Sequence, residues 1–127
     1  MSRLRTLISS ALIVVGLTGA AHANDDLVLV FAGCAGRMSA EMEHAWLVND
    51  ARADTWQTQR QRFVSILQAI MPRDRARETL SHRVEAKLAH SAILTTAKFG
   101  TDPRRSRLAK KQARIQVQSC QAMLLDG

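Results

Sequence analysis

The two cysteines of this 127-residue chain, Cys34 and Cys120, lie near opposite ends of its predicted helical region. Two cysteines in a small exported protein are best interpreted as a disulfide pair. Closing a loop of about 85 residues stabilises a fold by roughly 4 to 5 kcal/mol in the chain-entropy model. The alternative is two separate small core residues. A bond would tie the two ends of the chain into one body.

The first 23 residues have the three parts of a secretory signal peptide: a positive start, an apolar run over residues 7–19, and small residues at Ala21 and Ala23. We predict cleavage after Ala23, which leaves residues 24–127 as a single domain. A membrane anchor is the alternative, but the apolar run is short for a span. Export would place the protein in the periplasm, with no transmembrane segment in the mature chain.

A second alternative for Cys34 is lipid attachment, because Phe31-Ala32-Gly33 before it resembles the small-residue box of a lipidated cysteine. Such a box directly follows the apolar run, whereas here Asp25 and Asp26 intervene. The earlier cleavage site fits the signal pattern better.

The chain is basic, with a formal net charge of +7 that falls to +5 when Arg3 and Arg5 leave with the signal. The predicted basic surface on the last helix consists of Arg104, Arg105, Arg107, Lys110, Lys111 and Arg114. Such a surface can bind anionic lipid, a polymer or an acidic envelope protein, or it can simply be solvated. Aromatic residues for base stacking are absent from it, which together with export argues against nucleic acid.

The first two mature helices follow from apolar spacing and caps. Helix one is predicted from a cap at Asp25 or Asp26 to about Asn49, and helix two from a cap at Asp54 to about Met71, before Pro72. The inner residues predicted for helix one are Leu27, Val30, Phe31, Cys34, Met38, Met42, Ala45, Trp46 and Val48, and those for helix two are Trp56, Phe63, Ile66, Leu67 and Ile70. Gly33 and Gly36 weaken helix one locally or let a neighbouring backbone approach.

Helix three is predicted from about Arg73 or Asp74 to Lys98, with Gly100 just past its end, and helix four from Pro103 to about Leu124, capped by Asp102. The inner stripe predicted for helix three is Ala76, Leu80, Val84, Leu88, Ser91, Leu94 and Ala97. The one predicted for helix four is Leu108, Ala109, Ala113, Val117, Cys120 and Leu124.

These helices predict an all-α fold, a small up-down bundle of about four helices tied by one disulfide. Short links make successive helices antiparallel, so helix one lies beside helix four and points the opposite way. Cys34 is then about 12 Å from one end of its helix and Cys120 about 8 Å from the matching end of its own, since a helix rises 1.5 Å per residue. The two cysteines therefore lie at similar levels.

Metal binding is the competing functional hypothesis. Glu41 and His44 form a Glu-x-x-His step, which in ferritin-like bundles places two ligands on one helix face. Met38 and Met42 could add thioethers for copper(I), although methionines at inner positions usually fill core gaps. The step occurs once, with no further inward glutamates, and the simpler interpretation is a surface pair beside a packed core. No cofactor is predicted.

The run from Cys34 to Leu47, with the distant Cys120 before Leu124, resembles a group of small exported helical proteins from alphaproteobacteria. The resemblance implies a small helical periplasmic protein and brings no activity or site with it. No nucleophile elbow, phosphate loop or Cys-x-x-Cys motif accompanies it. We therefore expect a non-enzymatic protein that binds through its basic surface or through the helix from Arg37 to Trp46.

Overall fold

The computed structural model describes residues 19–125, with side chains from residue 26 onward, and this part of the chain is all-α. Its helices are α1 (Gly19–Leu47), α2 (Ala53–Ile70), α3 (Ala76–Phe99) and α4 (Pro103–Leu125), and a 3-10 turn at Arg73–Arg75 precedes α3. The predicted all-α bundle with one disulfide is confirmed. The predicted signal peptide falls mostly outside the described residues. Within residues 19–125, no helix has the length and apolar character needed to cross a membrane.

Two predicted helix starts are wrong. The chain is already helical from residue 19, so Asp25 and Asp26 are interior positions of α1 rather than caps. α2 begins at Ala53 with no side-chain cap, and Asp54 lies inside its first turn. The turn before α2 is closed instead by Asp50, whose Oδ1 accepts the Arg52 N–H at 2.9 Å. The carboxylate of Asp50 therefore stabilises the turn between α1 and α2 rather than capping the start of α2.

The other boundary signals are confirmed. α2 ends at Ile70, two residues before Pro72, and α3 is followed by Gly100. A Cβ on Gly100 would collide with the Thr96 carbonyl oxygen, so the tight exit from α3 requires glycine. Asp102 caps α4, since its Oδ1 accepts the N–H of Arg104 at 2.9 Å and that of Arg105 at 3.3 Å.

α1 is the central helix of the bundle. Residues 31–36 are all buried, and six consecutive helical residues point in every direction around the axis. α1 packs against each of the other three helices, whereas no Cα atom of α2 lies within 8 Å of one in α3 or α4. Small residues make this possible: a Cβ on Gly36 would collide with the Arg83 carbonyl oxygen of α3. The predicted close backbone approach is confirmed at Gly36.

The predicted inner stripe of α3 is largely wrong. Leu80, Val84 and Leu88 are 59%, 44% and 63% exposed. The face buried against α1 carries Thr79, His90 and Leu94 instead. The reason is the placement of α2: it packs on another side of α1, so no helix among residues 19–125 covers the leucine stripe of α3.

The other inner stripes are mostly confirmed. Cys34, Met38, Met42 and Ala45 of α1 are buried, as are Trp56, Phe63 and Leu67 of α2 and Ala109, Ala113, Val117 and Cys120 of α4. Exposed, contrary to prediction, are Leu27, Val30, Trp46, Ile70 and Leu108. These five residues lie at helix ends or on flanks where the next helix does not reach.

Candidate binding groove between α2 and α4

The disulfide between Cys34 and Cys120 joins α1 to α4, with the two Cα atoms 5.6 Å apart. The predicted pairing and the matching levels of the two cysteines are confirmed. α4 runs antiparallel to α1 and packs more extensively on α3 than on α1. The covalent bond therefore fixes α4 where its packing against the central helix is least.

Because α2 and α4 do not approach each other closely, a groove of about 460 Å³ remains between them, with α1 at its base and the end of α3 beside it. Its apolar lining consists of Ala45, Val48, Trp56, Leu94, Ala97, Ala113 and Val117, and its polar lining of Glu41, His44, Asp50, Arg52, Lys98, Lys110, Arg114, Gln118 and Gln121. Gln121 of α4 donates to Gln59 of α2 at 3.1 Å and so links the two walls.

Both carboxylates of the groove are already engaged. Glu41 Oε1 lies 2.8 Å from Nε2 of His90, a fully buried imidazole whose Nδ1 is 2.9 Å from Gln116 Oε1. This contact ties α1, α3 and α4 together and explains how a polar ring is tolerated in the core. Asp50 accepts two hydrogen bonds from the Arg52 guanidinium Nε and Nη2, and these bonds, with the Arg52 backbone N–H, lower the pKa of Asp50 to about 2.

The positively charged side chains of the groove form fewer ion pairs and hydrogen bonds than its carboxylates. Arg52 is taken up by Asp50, and its guanidinium carbon lies 5.9 Å from the centre of the Trp56 ring. Lys98, Lys110 and Arg114 form no side-chain ion pair with any residue in the described part of the chain. The groove thus combines an apolar base with three cations that form no ion pair among residues 26–125.

The six predicted basic residues are all exposed on α4, but they do not form a single site. Lys110 and Arg114 line the groove. Arg104, Arg107 and Lys111 continue with Arg114 as a stripe, since they are three or four residues apart. Arg105 lies on the opposite flank, in a shallow depression of about 350 Å³ between α3 and α4.

The residues of the metal hypothesis are dispersed. Met38 is fully buried and Met42 is 7% exposed in the core, so their thioethers pack rather than face an open site. Glu41 pairs with His90, and the His44 ring packs edge-on against Phe99 with centroids 6.2 Å apart. Among residues 26–125, no group of three or more His, Cys, Asp or Glu side chains is placed to hold a metal ion.

The sequence prediction missed three elements of the groove: Trp56, Lys98 and the Asp50–Arg52 turn. Trp56 was predicted to be inward, which is correct, but its ring forms part of an open wall. Lys98 belongs to no basic run, and the packing of α3 with α4 places it in the same groove as Lys110. The one available signal was Asp50-Ala51-Arg52, in which a carboxylate and a guanidinium two residues apart can close a turn.

Neither the protein-family models, the curated proteins nor the solved structures compared with this chain give a match. The function is therefore argued from the residues and their arrangement.

Proposed function

We propose that this protein is an exported, non-enzymatic binding protein that uses the basic face of α4 to bind an anionic component of the cell envelope. One observation carries the proposal. α4 contains six lysine and arginine residues and no acidic residue over Pro103–Leu125, and none of these six side chains is paired with a described residue.

Some charges on the other helices are paired within the fold, in contrast to those of α4. On α3, Glu78 is bound by Arg75, and Lys87 pairs with Glu43 of α1 at 2.5 Å. Such pairs satisfy charge within the fold, whereas the α4 cations contribute nothing of this kind. A positive surface without internal partners attracts anions at long range and binds them more weakly as salt rises.

Export is supported by the signal pattern of residues 1–23 and by the disulfide, because disulfides persist mainly in oxidising compartments. The resemblance to exported helical proteins from alphaproteobacteria is consistent with the same location. In the envelope the available polyanions are lipid headgroups and acidic polymers rather than nucleic acid. The proposal therefore names an anionic envelope component as the partner.

The test is binding of the protein, purified from the envelope after expression with its own leader, to vesicles with and without anionic phospholipid and to dextran sulfate. We expect binding to the anionic probes that weakens as salt rises. A variant combining Arg104→Gln, Arg107→Gln and Lys111→Gln should bind several-fold more weakly.

The matched control removes three exposed arginines from elsewhere in the chain, Arg62→Gln, Arg73→Gln and Arg77→Gln. This control should bind nearly as well as the unmodified protein. Equal weakening in the control and the α4 variant would show only a net-charge effect, and equal binding to neutral and anionic vesicles would refute the proposal.

A further inference from the structure

The groove between α2 and α4 differs from the rest of the basic face because it has an apolar base. Ala45, Leu94, Ala113 and Val117 are buried around it, and Trp56 forms part of its wall. Its volume of about 460 Å³ falls within the usual size range for small-molecule sites. An open polar surface would attract any anion, whereas this shape also has room for an apolar group.

The charged residues of the groove favour a negatively charged ligand. Asp50 is paired with Arg52, and the Glu41 side chain is only 13% exposed and is hydrogen-bonded to His90. The exposed charges available to a ligand are therefore those of Lys98, Lys110 and Arg114. Lys98 comes from the end of α3, whereas Lys110 and Arg114 are one turn apart on α4. A single anionic headgroup can meet cations from both helices while an attached apolar group lies on the base.

We infer that this groove binds a small amphipathic anion, with one carboxylate- or phosphate-type headgroup and an apolar body such as a single alkyl chain. The inference rests on the proposed function and narrows its partner class. It assigns the headgroup to Lys110 and Arg114 of α4 and Lys98 of α3, and the apolar body to the lining that includes Ala97 and Trp56. The α4 cations outside the groove attract the ligand but do not contact it.

The test uses dodecanoate below its micelle concentration and the fluorescence of Trp56, with Trp46→Phe removing the other tryptophan of the chain, which is 55% exposed. We expect a saturable change in Trp56 emission. The variant Lys110→Gln with Arg114→Gln should weaken binding about tenfold or more, as expected for losing a hydrogen bond to a charged group. Dodecyltrimethylammonium, which has the same tail and the opposite charge, should not produce a saturable change.

Two further variants separate the groove from the outer face. Arg107→Gln with Lys111→Gln removes two α4 cations outside the groove and should change dodecanoate affinity by less than about threefold, because exposed charges contribute little to a site they do not touch. Ala97→Leu fills the groove without altering its charge and should weaken dodecanoate binding while dextran sulfate binding is unchanged. Thermal unfolding of each variant verifies that it is folded.

Several results would overturn the inference. One such result is that the two α4 double variants weaken dodecanoate binding equally and Ala97→Leu leaves it unchanged. The anion would then bind on the outer face of α4, so the groove site would be refuted while the proposed function stands. The absence of a saturable signal, or equal binding of the cationic amphiphile, would also refute the groove site. The proposed function is refuted by a different result, in which the unmodified protein binds neither dextran sulfate nor anionic vesicles.

A free amphiphile and a membrane lipid present the same chemistry. If Ala97→Leu weakens both dodecanoate binding and binding to anionic vesicles, the groove takes its ligand from the bilayer. If it weakens dodecanoate binding alone, the ligand is a free amphiphile. Both results support the groove as the site.

Discussion

α1 and α4 are held in the bundle by opposite means. α1 is surrounded: residues 31–36 are all buried, and Gly36 lets the backbone of α3 come into direct contact. α4 buries one stripe, formed by Ala109, Ala113, Val117 and Cys120, and leaves the rest of its surface to solvent and six cations. Packing therefore constrains most of the sequence of α1 and less of that of α4, so contacts within the described part of the fold do not account for the charge of α4.

The disulfide is related to this difference in packing between α1 and α4. α1 is fixed by packing on every side, whereas α4 has fewer contacts with α1 than α2 or α3 has. The bond from Cys34 to Cys120 compensates for this weak contact. It also holds the groove wall formed by α4 at its distance from α2.

The largest expected effect is therefore loss of the disulfide. Replacing both cysteines, Cys34→Ala and Cys120→Ala, releases a loop spanning 86 residues of sequence. The chain-entropy model gives a loss of about 4 to 5 kcal/mol in the free energy of unfolding. Chemical denaturation of the variant and of the oxidised protein measures it. A loss below about 1 kcal/mol would mean that packing alone holds α4, contrary to the contrast with α1.

The second prediction compares alanine substitutions at two glycines of α1 to test how closely this helix packs on α3. Gly36→Ala places a Cβ against the Arg83 carbonyl oxygen, so two helix backbones must separate, and we expect a loss of about 2 to 3 kcal/mol. Gly33→Ala meets only the ends of the Arg37 and His82 side chains, at 3.3 and 3.4 Å. That control should be neutral or stabilising by up to about 1 kcal/mol, since alanine favours helix. Denaturation midpoints that move equally for both would contradict the close approach at Gly36.

The third effect concerns the polar contact where α1, α3 and α4 meet. A double-mutant cycle with Glu41→Ala and His90→Ala should give a coupling energy of about 1 to 2 kcal/mol, because each single substitution removes the buried hydrogen bond between the two side chains. Urea denaturation at neutral pH of the two single variants and the double variant supplies the cycle. Additive losses would show that His90 is only a space-filling residue.

The smallest effect lies in the exposed turn between α1 and α2. Hydrogen bonds from the Arg52 side chain and backbone lower the pKa of Asp50 from 3.8 to about 2. A lowered folded-state pKa contributes stability above pH 3.8 that is lost as pH falls through 2. The difference in denaturation midpoint between the unmodified protein and Asp50→Asn should therefore be small at pH 5 and disappear near pH 2. If this difference in denaturation midpoint grew as the pH fell, the lowered pKa of Asp50 in the folded state would be contradicted.

Several parts of the fold could be predicted from local chemistry. Pro72 ends α2, Asp102 and Pro103 begin α4, and the apolar spacing of Phe63 and Leu67 identifies the inner face of α2. These signals act within a few residues, so the chain alone specifies them. The same kind of reasoning failed at Asp54, because two carboxylates lie near the start of α2 and the turn geometry selects Asp50.

The failure on α3 has a different cause. Leu80, Val84 and Leu88 have the spacing of a buried stripe, yet they are exposed, while Thr79 and His90 are buried. Spacing identifies an apolar face but does not specify which neighbour covers it. His90 is stable in the core only because Glu41 and Gln116, from two other helices, bind both ring nitrogens.

By itself, the sequence determined the helical class, most helix boundaries, the pairing of Cys34 with Cys120 and the basic character of α4, because each depends on residue type and local spacing. Only the tertiary structure decided that α1 is central and that α2 and α4 stand apart. The groove exists because of that separation, and tertiary packing decides which faces of α3 and α4 bring their cations into it. Steric contact at Gly36 and packing around α1 set these distances, which are properties of the assembled bundle.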